Sequence, residues 1–326
     1  MFKKIKKIGR EELIKGSLVL FILMNIFNFL NYVFHFSMAR LLGPSDYGVL
    51  AVLMSIVYIY SIPSEAIQTI ISKYTSQFNI KKQQGKIKDL YYRSLKKGFK
   101  LALIIFIILI PISIFLSNFL DIKFSLIFFT NFLVFYVFAI PISRGVLQGR
   151  KLFIGLGLNM VSESLTKVVL AVILVLVGWK VYGAVEAMLI AGVLSFLLAL
   201  VMIKDLFKKK RKHANVETIY VYGMPVFISI IAIVLMYSLD IIIAKRFFTP
   251  EIAGKYAVAS MFGKIIFFGT YAIGKAMFPL TTEGHESGKN TKKIFKKSLK
   301  IVIIFCIAAL FFYLFFPELI IKVLFG

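Results

Sequence analysis

The sequence predicts an all-α polytopic membrane protein with about nine transmembrane helices, for three reasons. The chain is 60% apolar, with 34 Phe among 326 residues, and its mean hydropathy is +0.88; soluble domains hold roughly 45 to 50% apolar residues. Nine apolar runs, near 13–36, 47–72, 97–117, 124–147, 155–178, 181–203, 218–244, 254–280 and 299–316, approach or exceed the roughly 20 residues that a crossing helix needs. Hydrocarbon offers the backbone no hydrogen-bond partner, so such runs must be helical. Basic residues fall in alternate connections between them.

That alternation sets the orientation. With the amino terminus placed in the cytoplasm, Lys and Arg number 6 in 1–15, 9 in 73–100, 3 in 144–151, 6 in 204–212 and 6 in 289–300. The other side holds seven: Arg40, Lys123, Lys180, Lys245, Arg246, Lys255 and Lys322. Short cytoplasmic loops carry just such an excess, so a cell-membrane location is expected, amino terminus cytoplasmic and carboxyl terminus external. The formal net charge of +25 is thereby a topology signal, which also attracts anionic lipids on the cytoplasmic face. A stretch such as "KDLFKKKRK" (204–212) reads the same way, and no nucleic acid is expected as a partner.

Polar side chains recur at helical spacing within the runs. In the first, Asn25, Asn28, Asn31, Tyr32 and His35 share one face. In the second, Ser61, Glu65, Gln68, Thr69 and Ser72 do, and Pro63 is placed to bend the helix. The fourth carries Arg144 near its end. The fifth carries Asn159, Ser162, Glu163, Thr166 and Lys167, where Glu163 and Lys167 have the i, i+4 spacing of a neutralising pair. The seventh holds Asp240, and the eighth aligns Ser260, Lys264, Tyr271 and Lys275. A charge at mid-bilayer costs about 2.5 to 3.5 kcal/mol on insertion scales, so one that stays there faces protein or a wet cavity. Each stripe also has a plain structural reading: Asn and Ser bond neighbouring helices, and Lys275 lies near enough to the cytoplasmic end to snorkel.

Several motifs are set aside. The first run is longer than the 7 to 15 residues of a signal-peptide core, so it is read as a retained helix despite the "SMA" that follows. One cysteine, Cys306, and three scattered histidines make no disulfide framework and no metal site, and no cofactor is expected. "GTYAIGKA" (269–276) fits GxxxxGK but ends on Ala276 instead of Ser or Thr, and it lies within an apolar run instead of between strand and helix.

One stretch recurs. Shifted by 206 positions, "ARLLGPSDYGVLAV" (39–52) aligns with "KRFFTPEIAGKYAV" (245–258), matching Arg40 to Arg246, Pro44 to Pro250 and Gly48 to Gly254. Each copy lies on the outer side between the first and second spans of a set, with six spans between them. That is a parallel internal repeat, related by an axis along the membrane normal. The expected organisation is a six-helix amino-terminal lobe, 1–212, and an incomplete carboxy-terminal lobe of three helices, 213–326. Thr249 is placed to cap a helix starting at Pro250, with Ser45 or Asp46 serving the first copy.

"LLGPSDYG" (41–48), "RGVLQGRKLF" (144–153) and "FFPELIIKVLFG" (315–326), in this order against the spans, resemble the polysaccharide biosynthesis protein family of lipid-linked oligosaccharide flippases. That family lies within the multidrug/oligosaccharidyl-lipid/polysaccharide exporter superfamily. The resemblance implies alternating access by rocking of two lobes, with a lipid-linked glycan as substrate. Family members usually carry twelve or more spans, so a second chain completing the carboxy-terminal lobe is a candidate partner.

A flippase needs a cationic, hydrated cleft for the phosphate head and breaks no bond. Lys167, Lys264, Arg144 and Lys275 are the candidates for the phosphate; Glu65, Glu163 and Asp240, with Gln68, Asn25, Asn28 and Asn31, are the candidates for coupling and polar lining. A cation-coupled multidrug antiporter would place carboxylates there instead. A glycan polymerase would need a large external loop, and none exceeds about a dozen residues. A non-transporting membrane scaffold is the third alternative.

Overall fold

The computed structural model describes the backbone of residues 2–214, 224–286 and 291–319; the side chains at 2–18, at 271–286 and at some other helical positions lie outside the description. Every described element is helical. In order they are α1 (Phe2–Tyr60), α2 (Ile62–Ile80), α3 (Gln84–Leu120), α4 (Phe124–Asn131), α5 (Leu133–Gly149), α6 (Phe153–Leu174), a π-helical turn (Val175–Trp179), α7 (Lys180–Met202), the single turn α8 (Lys204–Phe207), α9 (Met224–Phe247), α10 (Pro250–Glu286) and α11 (Thr291–Phe315).

The nine predicted runs fall on these helices, with breaks where residue chemistry demands them; the start of the seventh run, 218–223, lies outside the described residues. Gly43 adopts φ +73° inside α1, a conformation only glycine takes without cost. Pro44 follows it, lacks an N–H, and bars the residue before it from the helical region. Two spans therefore meet at this turn. The second predicted run is split at Ser61, with Pro63 in the first turn of α2, where its missing N–H costs nothing. Two continuous segments, Ile22–Tyr60 with 39 residues and Phe153–Met202 with 50, are long and apolar enough to hold two crossings each. At 1.5 Å per residue they extend about 58 and 75 Å against a core of about 30 Å.

Connections assigned to one side of the membrane lie together. At one end Asp46 reaches Lys180 (3.8 Å) and Arg246 stacks on Phe119 (5.1 Å to the ring centre). At the other end Arg150 pairs with Asp205 (2.6 Å), and Asp89 with Arg211 (2.5 Å).

The closest packing uses small residues, as expected where lipid is as apolar as leucine and shape must drive association. Gly145 and Gly149, one turn apart on α5, lie so close to α2 that a Cβ on the first would meet Gln68 O at 2.9 Å, and on the second Ser72 O at 2.5 Å. The largest core joins α1, α6 and α7 through Phe34, Met38, Leu50 and Leu53, and reaches Ile241 of α9 and Ala257 of α10. By contrast α3 presents Phe99, Ile107, Ile114 and Phe115 outward, each more than half exposed, the face expected of a helix bordered by lipid.

The two copies of the repeated turn meet. A Cβ on Gly48 would lie 3.0 Å from Gly254 Cα, and one on Gly254 would lie 1.7 Å from Pro44 O. The residues that the 206-position shift pairs are therefore in contact with each other. As predicted, α10 begins at Pro250 with Thr249 Oγ1 accepting from the Ile252 amide (3.5 Å). In the first copy Asp46 turns toward Lys180.

Candidate functional site: the space between the repeats

Near the Gly48–Gly254 contact, α1, α9 and α10 enclose a small polar pocket. It has a volume of about 50 Å³ and is lined by Tyr32, His35, Tyr47, Tyr58, Met261 and Lys264 among others. That is room for one or two waters. Tyr47 Oη lies 3.3 Å from His35 Nδ1 and 3.6 Å from Met261 Sδ, tying the two repeats together. The rings of Tyr58 and Tyr237 meet edge to face at 5.7 Å.

Two lysines approach this stretch of α1 from different helices: Lys264 lines the pocket itself, and Lys167 sits against Asn31 and Phe34, beside His35 in the sequence. Lys167 projects from α6, donates to Asn31 Oδ1, and sits 4.7 Å above the Phe34 ring. Lys264 projects from α10 toward Asp240 Oδ1 at 3.9 Å, too long for a hydrogen bond, and that oxygen is buried without one. The other oxygen, Asp240 Oδ2, accepts from Ser260 (2.6 Å) and Tyr256 (3.3 Å). Two lysines and one carboxylate thus lie in or beside this space.

Glu163 and Lys167 do not form the pair that their spacing suggested. Glu163 is taken by Arg144 at 2.5 Å, within a buried network in which Arg144 Nε donates to Asn159 Oδ1 (2.9 Å) and Tyr136 Oη to Glu163 Oε1 (2.6 Å). A planar guanidinium presents five donors in a fixed fork, so one nitrogen meets the carboxylate while another meets the amide, where a lysine would offer a single compact charge. The network lies among α5, α6 and α7, inside the amino-terminal helices, so Arg144 and Glu163 neutralise each other away from the inter-repeat space.

The remaining predicted residues are dispersed. Gln68 donates to Gln148 (3.0 Å) between α2 and α5. Asn31 joins Lys167 and also donates to Phe27 O (2.8 Å), whereas Asn25, Asn28 and Glu65 are exposed. Arg40 is exposed beside the turn. The Lys275 side chain lies outside the described residues; the "GTYAIGKA" segment runs within α10, with no strand or loop to form a phosphate cradle. The spacing rules missed Tyr47, Tyr58 and Tyr237. The repeat itself was the available signal, since the 206-residue shift superposes Tyr58 on Lys264 and Asn31 on Tyr237.

A second polar cluster joins the linker after α8 to the start of α3, ahead of the apolar part of that helix. Asp89 is 3% exposed and accepts from Arg211 Nε (2.5 Å) and the Ala214 amide (3.0 Å), with Arg93 Nε 3.0 Å away. Burial alone would raise its pKa, but the Ala214 amide and the Arg211 and Arg93 charges outweigh burial and hold it below the usual carboxylate value. Lys88 adds bonds to Phe207 O (2.7 Å) and Lys209 O (2.9 Å). The bonds from Arg150 likewise lower the pKa of Asp205.

A continuous array of apolar helices, in which the two copies of the repeated turn touch, defines an all-helical membrane protein. The chain belongs to the polysaccharide biosynthesis protein family, whose model matches residues 37–326. Comparison with curated proteins finds no match. Among solved structures, it is similar to a MATE family multidrug resistance transporter of the MOP superfamily in an inward-facing conformation, with TM-score 0.68, 17% identity, and coverage of 90% of this chain and 71% of that one. It is also similar to the MATE multidrug transporter DinF-BH, solved in complex with a ligand (TM-score 0.64, 15% identity, 96% and 74% covered). An outward-facing MATE transporter of the same superfamily matches with TM-score 0.60, 17% identity, and 95% and 76% covered. At these identities the likeness establishes the fold.

Proposed function

We propose that this protein carries a lipid-linked oligosaccharide, a polyprenyl phosphate or diphosphate glycan, from the cytoplasmic to the external leaflet. The observation carrying this reading is the pair Lys167 and Lys264, from α6 and α10, which approach the Asn31–His35 stretch of α1 from different helices. A phosphate between them would bring two cations together, and the polyprenyl tail would stay in lipid. Movement of the repeats about the Gly48–Gly254 contact then suits alternating access, since a backbone contact without side chains slides and rocks at little steric cost. Family membership supports a glycan as cargo.

The test is export. Lys264→Gln and Lys167→Gln should express at wild-type level yet fail to restore surface glycan in a flippase-deficient host, and Lys264→Arg should retain part of the activity because it keeps the charge. Normal export by a well-expressed double Gln variant would overturn the reading.

A second reading rests on a different observation. Asp240, with one buried oxygen lacking a hydrogen bond, belongs to a fold shared with multidrug transporters, as a cation-coupled antiporter would require. Under that reading Asp240→Asn should abolish drug resistance in a sensitised host, while the lysine variants leave it intact.

A further inference from the structure

On the face that carries the Gly43 and Gly178 turns, a groove of about 460 Å³ lies at the end of α6 and α7, away from the inter-repeat space. Its lining includes Phe129, Trp179, Tyr182, Lys180 and Glu186. Trp179 is the only tryptophan in the chain and is 52% exposed. The backbone is built to hold it there: Gly178 (φ +99°) and Lys180 (φ +48°) flank it, both in a region that L side chains rarely adopt. Tyr182 is fixed from below, its hydroxyl 2.5 Å from Ser125 Oγ and its ring edge-on to Phe129 at 6.3 Å. Lys180 reaches Asp46 at 3.8 Å.

Aromatic rings at a membrane boundary are ordinary, since Trp and Tyr settle at the headgroup level. That does not account for Glu186. Its carboxylate lies one and a half turns inside α7, is half-buried, and lines the same groove. It forms no ion pair or hydrogen bond among the described residues, and a carboxylate in such a place needs a donor.

We propose that this groove is a carbohydrate subsite, in which Trp179 stacks on the apolar face of a pyranose while Glu186 accepts, and Lys180 donates, hydrogen bonds to its hydroxyl or acetamido groups. A flat aromatic beside an acceptor carboxylate matches a sugar, which offers C–H faces and O–H edges at once. The volume agrees: roughly 300 to 1,000 Å³ is the range of pockets that take a whole small ligand, more than a lipid ammonium group fills. The proposal rests on the reading of the chain as a glycan carrier and places a holding point for the sugar portion on the external side, remote from the phosphate site.

Because the chain has one tryptophan, its emission reports on this groove alone. Purified protein in detergent micelles is titrated with maltotriose and with chitotriose, and separately with phosphocholine and ethanolamine. A saturable change of Trp179 emission with at least one of the two oligosaccharides is expected, weakened about tenfold or more in Glu186→Gln, since a hydrogen bond to a charged group contributes about that factor. Emission unmoved by either oligosaccharide, or moved only by the ammonium compounds, overturns the proposal without reference to any variant. An oligosaccharide response unchanged in well-folded Glu186→Gln overturns the role of Glu186. Failure of this subsite and failure of the carrier reading are separable: glycan export with no sugar response sinks the subsite only, and a sugar response without export sinks the carrier reading only.

Discussion

Arg144 and Glu163 form a buried ion pair. Both are over 90% buried, and removing one partner leaves an uncompensated charge, worth about 3 to 5 kcal/mol in such pairs. Arg144→Ala should therefore sharply lower the midpoint of thermal unfolding in detergent, while Arg144→Met with Glu163→Leu should recover most of the loss; equal midpoints for wild type and Arg144→Ala would refute the buried pair. Asp89 makes a different prediction. Its folded pKa is lowered, so the stability it contributes is fully present above the unfolded value of about 3.9 and is lost as pH falls through the folded value. Trypsin cleavage in the linker 208–212 should thus be slow near neutrality and faster in Asp89→Asn, where the charge that holds Arg211 and the Ala214 amide is gone. Unchanged cleavage in that variant would show that Asp89 does not pin the linker. At this scale the sequence was only half legible. Lys167 and Lys264 stood out because isolated charges in apolar runs are conspicuous, but partners were not visible. The partner of Glu163 lies 19 residues away on another helix and that of Lys264 lies 24 away, and helical spacing reveals only neighbours three or four residues apart.

Helix breaks, in contrast, were written in single residues. Pro44, Pro63 and Pro250 each mark a turn or a helix start because proline forbids the preceding helical residue or needs an orphan N–H position. Contacts between helices were less legible, since a glycine's spacing does not say which helix it meets. Gly48 and Gly254 were matched as repeat partners, and only the structure sets them against each other. Their closeness yields a prediction with an internal control on α10. A methyl on Gly254 would overlap Pro44 O at 1.7 Å, whereas one on Gly263 meets nothing within 4 Å. Gly254→Ala must push the repeats apart at backbone level and should destabilise by about 1 to 3 kcal/mol or more. Gly263→Ala should be neutral or stabilising by up to about 1 kcal/mol, as alanine favours helix. Thermal midpoints of the two variants measured side by side check this, and indistinguishable midpoints would remove the turn-to-turn contact.

Orientation belongs to the molecule as a whole, because it is fixed by a sum over connections that no single helix determines. Thirty basic residues against seven predict the sign, and the structure gives the grouping: Asp46 meets Lys180 at one end, while Arg150 meets Asp205 and Asp89 meets Arg211 at the other. A one-span error would have separated these pairs by the thickness of the bilayer. The direction matters to both proposed sites, since the cationic space can load a phosphate from the cytoplasm, and the Trp179 groove can hold an emerging sugar, only if the Gly43 turn faces outward. With Cys306→Ser as background, single cysteines at Ser45 and at Lys81, both exposed, separate the cases. In intact cells an impermeant maleimide should label Ser45→Cys and not Lys81→Cys; after permeabilisation both should react. Labelling of Lys81→Cys alone in intact cells would invert the molecule, and labelling of both would break the span assignment between α1 and α3. The first outcome leaves the pairings intact but exchanges loading and release sides, so the flippase direction would fail while the fold stood.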